Sequence, residues 1–453
     1  MSIKIITNKN ALTSLFNFSS IIIFIIFFQF SSDIRAEIMR TTLDNGLKVI
    51  LKKDTRSPVV TSQIWYKVGS ADEYGGITGV SHALEHMMFK GTKKFPSGRF
   101  SKLIASYGGS ENAFTSRDYT AYYQTLPSKY LNEALKLESD RMNNLILQDN
   151  DFLKEMEVIK EERRMRTDDR SEAIAYEQLY ATAFNNNPYH HPIIGWMEDL
   201  ETMKLDDLSK WYKNWYAPNN ATLVIVGDID FNETMLLVKK YYGRLPQEEI
   251  KERKDRLEPA QIGERTVNLK IDSKPPYIIL GYKVPSLNSK NVEDWECYAL
   301  SVLSGILSEG ENSRLLKSLV REKKLAASVD TSYSLFARNH SLFLIDANPN
   351  IGKSLHKIDS EIIGILELIK KGKISKKELK RIKAQVIANE VYQQDSIFYQ
   401  GMLIGMSETT IGDSEIIDRF VDNIKSVTPE QIKYVAKKYL ISEKRTVAIV
   451  NQD

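Results

Sequence analysis

The sequence predicts an α+β fold that is built twice in tandem. Three observations support this prediction: the length of the chain, a mixture of strand and helix patterns, and two internal echoes. At 453 residues the chain exceeds what one hydrophobic core usually organises, so two domains are expected. Strand-like stretches with apolar residues at period two accompany helical patterns in both halves, which is typical of α+β proteins.

The composition is that of an ordinary globular protein and argues against one functional class. Apolar residues make up 42% of the chain, and 62 basic residues nearly balance 59 acidic ones, with no long run of one sign. This balance gives no support to nucleic-acid binding. The single cysteine, Cys297, cannot form an intramolecular disulfide and is expected to be a small buried thiol.

The first 36 residues have the pattern of an export signal. Lys4 and Lys9 precede the uncharged stretch Ile21–Phe30, and cleavage is expected after Ala36. The alternative is a retained membrane anchor over Ala11–Phe30, which approaches the length of a membrane span. The mature protein is therefore expected in the periplasm or outside the cell, and at a membrane only if this segment is uncleaved.

Two segments of the first half recur in the second half. A helical pattern leading into the strand-like Thr222–Val226 recurs 224 positions later, before Thr446–Val450. At an offset of 216, Ile64–Val68 is answered by Leu280–Val284, and a helical pattern follows each. The first of those helices carries His82, Glu85 and His86, none of which is repeated in the second. Only the first copy is therefore expected to have kept the chemistry.

Composition also predicts the boundaries of the two copies. Residues 246–265 are charged, poor in apolar residues and without a buried face, so they are taken as a linker. The predicted domains are residues 37–245, which carry the chemistry, and residues 266–453, which form an inactive counterpart. In the second domain, helices are expected over Ile351–Lys371 and Lys376–Tyr392.

The arrangement His82-x-x-Glu85-His86 predicts a metal site. On a helix, His82 and His86 project from one face on successive turns and can share one ion. Catalytic zinc needs three protein ligands and leaves a fourth position for water, whose pKa it lowers to roughly 7. Glu85 lies beside that water and is the expected general base. The alternative is an amphipathic helix with histidines at its surface.

A third ligand is expected from the helical run Asp151–Arg166. Glu155 and Glu162 are seven residues apart and share one face of that helix. Periodicity does not choose between them. The alternative is a solvated face with ion pairs such as Glu162 with Arg166, which contribute little to stability.

The motif resembles that of the inverted-zincin peptidases, which include pitrilysin, insulin-degrading enzyme and the mitochondrial processing peptidase. His82-x-x-Glu85-His86 is followed after 75 intervening residues by Glu162, with Glu155 seven positions before it. The resemblance implies that His82, His86 and Glu162 hold one Zn²⁺ per chain. It implies catalytic roles for Glu85 as the base and for Glu155, which would orient the site from outside the ligand set.

Further segments extend the resemblance over the mature chain. They are Phe89–Thr92, Asn112–Thr115, Asp118–Thr120, Pro188–Tyr189 and Gly195–Trp196.

The resemblance gives Asn112, Ala113 and Phe114 a role in substrate binding. In this family they lie on an edge strand to which an extended peptide adds as a further strand. The alternative is an ordinary edge strand. His190 and His191 are possible additional ligands, but the neighbouring prolines indicate a turn, and the family does not use them on the metal.

The resemblance also implies a fold and an assembly. Each half of the family's clamshell is a pair of α+β domains, each a mainly antiparallel sheet packed with helices. One chain of this length supplies one half and must associate to enclose a chamber. Active chambers receive an arginine and a tyrosine from a C-terminal domain, and here Ala327 stands where the tyrosine is expected, although Arg321 could still help. A heterodimer with a related subunit supplying that pair is therefore expected, with a homodimer as the alternative.

The expected function is that of a zinc-dependent endopeptidase, a hydrolase that cleaves extended peptides or unfolded segments inside a closed chamber. One alternative is a non-catalytic binding or assembly subunit of the same fold. Another is a membrane-tethered subunit that processes a particular exported precursor. The retention of His82, Glu85, His86 and Glu162 favours the enzyme.

Overall fold

The computed structural model describes residues 37–271 and 275–451. The predicted export signal, with its expected cleavage after Ala36, lies outside the described residues. Within the described ranges, no helix combines the length and the apolar character needed to cross a membrane.

Eleven strands and fourteen α-helices are assigned within the described residues. The strands are β1 (Ile38–Thr42), β2 (Lys48–Lys53), β3 (Val59–Tyr66), β4 (Ser110–Thr115), β5 (Thr120–Pro127), β6 (Ala221–Gly227), β7 (Arg265–Lys270), β8 (Tyr277–Val284), β9 (Ala326–Ser332), β10 (Ser341–Pro349) and β11 (Arg445–Asn451). The helices are α1 (Val80–Met87), α2 (Arg99–Ser106), α3 (Leu131–Asn144), α4 (Asp149–Arg163), α5 (Ser171–Ala183), α6 (Met197–Thr202), α7 (Leu205–Trp215), α8 (Phe231–Tyr242), α9 (Asp294–Ser308), α10 (Leu355–Lys370), α11 (Lys376–Gln393), α12 (Ile397–Thr410), α13 (Ile416–Ser426) and α14 (Pro429–Tyr439).

The two sheets have the same strand order. The first is β1-β2-β6-β3-β5-β4 and the second is β7-β11-β8-β10-β9, so the last five strands of the first sheet match the second one by one. In both, one pair is parallel (β2 with β6, β7 with β11), and β3, β4, β5 and β6 of the first sheet and β8, β9, β10 and β11 of the second pair with their neighbours in antiparallel fashion. The predicted α+β fold built twice, with mainly antiparallel sheets, is confirmed.

The two echoes fall at equivalent places in the sheets. Ile64–Val68 overlaps β3 and Leu280–Val284 overlaps β8, which occupy the same central position. Thr222–Val226 lies in β6 and Thr446–Val450 in β11, each preceded by a helix, α7 or α14. The sequence offsets therefore marked structurally equivalent strands.

Each sheet is also covered by a helix from the other half of the chain. Helix α5 packs on β7, β8 and β11 of the second sheet, where Leu179 and Ala183 join a buried cluster with Ile279 and Val450. Helix α12 packs on β3 and β6 of the first sheet. In the chain order of the two copies, α5 and α12 are equivalent. The copies therefore exchange one helix, a feature that the sequence patterns do not predict.

The segment taken as a linker has no helix or strand before β7 begins at Arg265. It is nevertheless held at two points. The guanidinium of Arg253 contacts the carboxylate of Asp72 at 2.6 Å. Glu258 accepts hydrogen bonds from three backbone N–H groups at residues 185–187 and pairs with Lys283 at 2.7 Å. Burial alone would raise the pKa of the Glu258 carboxyl, but these contacts outweigh it and lower the pKa to about 2.

The predicted helices differ from the observed ones mainly at their ends. Helix α10 begins at Leu355 rather than at Ile351, because Gly352 adopts a left-handed turn with φ of 71°. Helix α11 starts at Lys376 as predicted and continues one residue further than expected. The run Asp151–Arg166 is helical throughout, but its last turn belongs to a π-helical segment over Arg164–Asp168.

Candidate metal centre

Helix α1 presents the predicted metal motif, and its apolar face fixes its orientation. Val80, Ala83, Leu84 and Met87 are fully buried in the first core, which leaves the opposite face to the polar side chains. A buried carboxylate caps the start of the helix: Glu73 accepts hydrogen bonds from the N–H groups of residues 79 and 81.

A close backbone approach also fixes the start of α1. Gly79 has a φ of 87°, and a Cβ at this position would lie 2.4 Å from the carbonyl oxygen of Ile194. Only glycine fits there without displacing the chain at Ile194 and Gly195. The start of α1 and the segment that contains Gly195 therefore pack directly against each other.

Helix α4 lies against α1 and supplies the acidic side chains. Phe152, Met156 and Ile159 anchor it in the core. At its end Arg163 is buried and pairs with Glu177 at 2.8 Å. These contacts fix the rotation of α4 about its axis.

The structure brings His82, His86 and Glu162 together. Their potential ligand atoms all lie within 4.8 Å of one another. Oε2 of Glu162 is 3.3 Å from Nε2 of His86 and 3.8 Å from Nε2 of His82. Metal–ligand bonds of about 2.0–2.1 Å in a tetrahedron imply ligand separations of roughly 3.3 Å. The three side chains therefore fit a zinc ion.

Glu155 contacts the far side of the same imidazole. Its Oε2 is 3.2 Å from Nδ1 of His86, and its other oxygen pairs with Lys90. Such a contact fixes the ring and leaves Nε2 free to bind a metal. The structure places Glu162 with the two histidines and places Glu155 against the other nitrogen of the His86 ring.

The ion pair proposed as the alternative role of Glu162 also exists. Nη1 of Arg166 lies 2.6 Å from Oε1 of Glu162, while Oε2 faces the two histidines. One carboxylate therefore serves both contacts, because its two oxygens point in different directions.

His82 has the properties of a neutral ligand. Burial, reinforced by the nearby His86 and Arg166, lowers the pKa of His82 to about 3. Its Nδ1 is buried and has no hydrogen-bond partner among the described residues. An uncharged imidazole is the form that binds a metal.

Glu85 lies next to the histidines and is held by the edge strand. Oγ1 of Thr115 donates a hydrogen bond of 2.5 Å to Oε2 of Glu85. Burial raises the pKa of the Glu85 carboxyl, and the nearby Glu162 adds to the increase. A raised pKa favours a group that takes up a proton during a reaction at neutral pH.

The motif opens into a cleft of about 1380 Å³. The candidate peptide-binding residues Asn112, Ala113 and Phe114 line it. They belong to β4, which pairs with β5 and has no second neighbour among the described strands. An edge strand in the cleft wall leaves backbone groups available for an added strand.

His190 and His191 line the same cleft but stay outside the metal-binding group. Pro188–His190 forms a 3₁₀ turn, which agrees with the expected turn role. Their Nε2 atoms are 3.0 Å apart and bond to each other.

The segment expected to carry an arginine and a tyrosine lies at the edge of the second sheet. Ala327 is exposed on β9, the topological equivalent of β4. Arg321 pairs with Glu311 at 2.8 Å.

An ion-pair network that the sequence does not predict joins the two halves of the chain. Arg338 of the second half binds Asp118 at 3.0 Å and Asp72 at 2.9 Å, and Asp72 also binds Arg253. Asp118 belongs to a segment that carries the family resemblance, but a partner 220 positions away leaves no signal in one sequence.

Paired α+β domains with a His-His-Glu group in the first define a class, the half-subunits of inverted-zincin metallopeptidases. The chain belongs to peptidase family M16. Residues 48–196 match the model described as insulinase (peptidase family M16), and residues 202–386 match the model described as peptidase M16 inactive domain.

Known proteins agree with this assignment. The zinc protease PqqE of Helicobacter pylori is 34% identical over 359 residues, which are 78% of this chain and 80% of that protein. A crystal structure of a protease from Helicobacter pylori matches 92% of this chain and 100% of its own, with a TM-score of 0.87 and 31% identity. The periplasmic protease PqqL from Escherichia coli has a similar fold (TM-score 0.76, 21% identity), and the match covers 93% of this chain but 48% of PqqL.

Proposed function

We propose that the protein is a zinc-dependent endopeptidase in which His82, His86 and Glu162 hold one zinc ion. The observation that carries this proposal is the convergence of the three ligand atoms within 4.8 Å on two packed helices. The relatives named zinc proteases support it. Two imidazoles and a carboxylate are a donor set typical of catalytic zinc.

The chemistry follows from the residues around that group. His82, His86 and Glu162 would hold the zinc ion, which would polarise a carbonyl and make water acidic enough to react near neutral pH. Glu85 accepts the proton of the attacking water and passes it to the leaving amine. Thr115 orients the Glu85 carboxylate, and Glu155 orients the ring of His86.

The substrate is an extended peptide or an unfolded segment. The edge strand β4 offers backbone hydrogen bonds at Asn112, Ala113 and Phe114, which a peptide strand satisfies with little dependence on its sequence. A folded protein presents few free strands of this kind, so it is a poor substrate.

The chain acts as half of a larger chamber. The match to 48% of PqqL supports this, since that protein has about twice the length. Ala327 offers no hydrogen bond to a substrate carbonyl, so a related subunit with an arginine and a tyrosine completes the site of a heterodimer. A homodimer is the alternative. Within the chain, residues 37–245 form the zinc domain, 246–265 the linker and 266–453 its inactive counterpart.

The protein acts in the periplasm or outside the cell. The pattern of its first 36 residues and the periplasmic location named for PqqL support this proposal. A non-catalytic assembly subunit is the second candidate, because the family includes domains described as inactive.

Metal content and peptide hydrolysis together test the function. We expect wild type to bind one zinc ion and to cleave unstructured peptides, alone or with a related subunit that lacks the motif. Glu85→Gln should keep the zinc and lose about 10²–10⁴-fold in rate, whereas Glu162→Gln should lose the zinc. Glu157→Gln, an exposed change on the same helix, is the control. A Glu85→Gln protein as active as wild type would refute the mechanism.

A further inference from the structure

Arg117 lies in the cleft wall two residues beyond Thr115, which holds Glu85. Its position is fixed by the backbone. The N–H of Ala71 donates to the carbonyl of Arg117 at 2.8 Å, and a Cβ at Gly69 would lie 2.6 Å from that carbonyl oxygen. The backbone of Arg117 is therefore held in a fixed position relative to the end of the edge strand β4.

Aromatic rings surround the guanidinium of Arg117. Its central carbon lies 4.1 Å from the ring centroid of Tyr180, 5.7 Å from that of Tyr189 and 5.8 Å from that of Tyr176. Such rings attract a cation but do not neutralise it. Tyr176 and Tyr180 also line the cleft, so the cationic group and its rings face the space that contains Glu85.

In the described ranges the charge of Arg117 has no carboxylate partner, and its guanidinium donates a hydrogen bond to the hydroxyl of Tyr176. No carboxylate there lies within ion-pairing distance, and its buried Nε has no hydrogen-bond partner. The adjacent Asp118 is engaged by Arg338, and Glu177 by Arg163. A guanidinium stays charged at any ordinary pH, and a poorly hydrated charge without a counter-ion is costly.

We propose that Arg117 is a specificity residue that binds a carboxylate of the peptide substrate. The carboxylate is an acidic side chain of the peptide or its free C-terminus. An extended peptide on β4 that continues past Thr115 brings successive residues over Arg117, whose planar fork binds a carboxylate through two parallel hydrogen bonds. This inference rests on the proposed peptidase function of the cleft.

An aspartate scan tests the proposal. A neutral fluorogenic peptide with blocked ends receives a single Asp, or the matching Asn, at each position in turn. A second pair compares the free and the amidated C-terminus. For wild type, kcat/KM should be about tenfold or more higher for the acidic peptide than for its neutral counterpart. This preference is expected at one position of the Asp scan or for the free over the amidated C-terminus.

Variants assign the preference to Arg117. Arg117→Gln should bring the ratio to about one, and Arg117→Lys, which keeps the charge but not the fork, should retain part of it. Arg170→Gln removes an exposed arginine of the same cleft and should keep the wild-type ratio. Circular dichroism melts identify any variant that fails to fold. A packing role alone would alter the rates for acidic and neutral peptides equally, so the ratio separates the two roles.

A binding measurement tests the role of Arg117 independently of the proposed peptidase activity. Fluorescence anisotropy with the same peptides on zinc-loaded Glu85→Gln measures the ratio of dissociation constants without hydrolysis. If wild type cleaves no peptide either alone or with a related subunit that lacks the motif, the proposed function fails, but an acid preference in binding that Arg117→Gln abolishes still supports the role of Arg117. Cleavage with no acid preference at any position, or a preference that survives in Arg117→Gln, overturns the role of Arg117 alone.

Discussion

The exchange of helices between the two copies predicts that a single methyl group on α12 destabilises the protein. Gly405 lies where α12 crosses the first sheet, against the indole of Trp65, which is fully buried. A Cβ at position 405 would lie 2.1 Å from Cε2 and 2.2 Å from Nε1 of that ring. Carbon atoms in contact are normally about 3.5–4.0 Å apart, so the helix or the ring must move by more than about 1 Å.

The magnitude follows from two opposing effects. Forcing an extra methyl group into a packed core typically costs about 1–3 kcal/mol, and this clash with a rigid ring belongs at the upper end. Replacing glycine by alanine inside a helix contributes up to about 1 kcal/mol of stability. Gly405→Ala should therefore lower the free energy of unfolding by about 2 kcal/mol.

A matched change in another helix isolates the clash. Gly364 is an exposed helical glycine of α10 with no atom near its potential Cβ. Gly364→Ala should raise the free energy of unfolding by about 1 kcal/mol, since only the helix propensity changes. Urea unfolding followed by circular dichroism compares the two variants with wild type. If Gly405→Ala were as stable as Gly364→Ala, the packing of α12 on the first sheet would be wrong.

Two further predictions concern the metal and the linker. Glu155→Gln should weaken zinc affinity about 10–100-fold in competition with a chelator, because His86 loses the carboxylate that orients its ring. Glu157→Gln, on the exposed face of the same helix, should leave the zinc affinity unchanged. Equal zinc affinities of the two variants would refute the supporting role of Glu155. Glu258 has a folded-state pKa of about 2 against an ordinary value of 4.5, so its contribution to stability is present above pH 4.5 and is lost as the pH falls towards 2. Unfolding of wild type and Glu258→Gln should therefore differ at pH 7 and converge in acid, and a constant difference would contradict the contact with Lys283.

Sequence patterns predicted the features that depend on local periodicity. Because His82 and His86 are four residues apart on a helix, their convergence follows from helix geometry alone. The repeated strands can be recognised because their apolar patterns recur at similar offsets, 216 and 224 positions. Periodicity alone does not distinguish Glu162 from Glu155 as the third ligand. The prediction of Glu162 depends on the resemblance to a known motif.

The remaining features depend on contacts between distant parts of the chain. The apolar face of α5 shows that the helix is buried, but it does not show that Leu179 packs against the sheet of the other copy. The same holds for Arg338, whose charge is visible in the sequence while its pairing with Asp118 is not. Such contacts are set by the fold as a whole, so a single sequence contains no local signal for them.

In the second copy, the helix equivalent to α1 carries apolar and aromatic residues instead of metal ligands. On α9, Tyr298 and Val302 occupy the positions of the two histidines, and both are buried. A Cβ at Gly305 would lie 2.9 Å from Ile382 of α11, so α9 and α11 pack closely at that point. Charged ligands would be costly in such a core.

The second copy acts on the first through packing instead. Helix α12 presses on Trp65, whose ring contacts Phe114 of the edge strand with centroids 5.4 Å apart. Arg338 fixes Asp118 at the other end of that segment, next to Arg117. The second copy therefore contacts the first on both sides of Thr115, through Trp65 next to Phe114 and through Asp118 next to Arg117. These contacts let a copy without metal ligands contribute to the position of the edge strand.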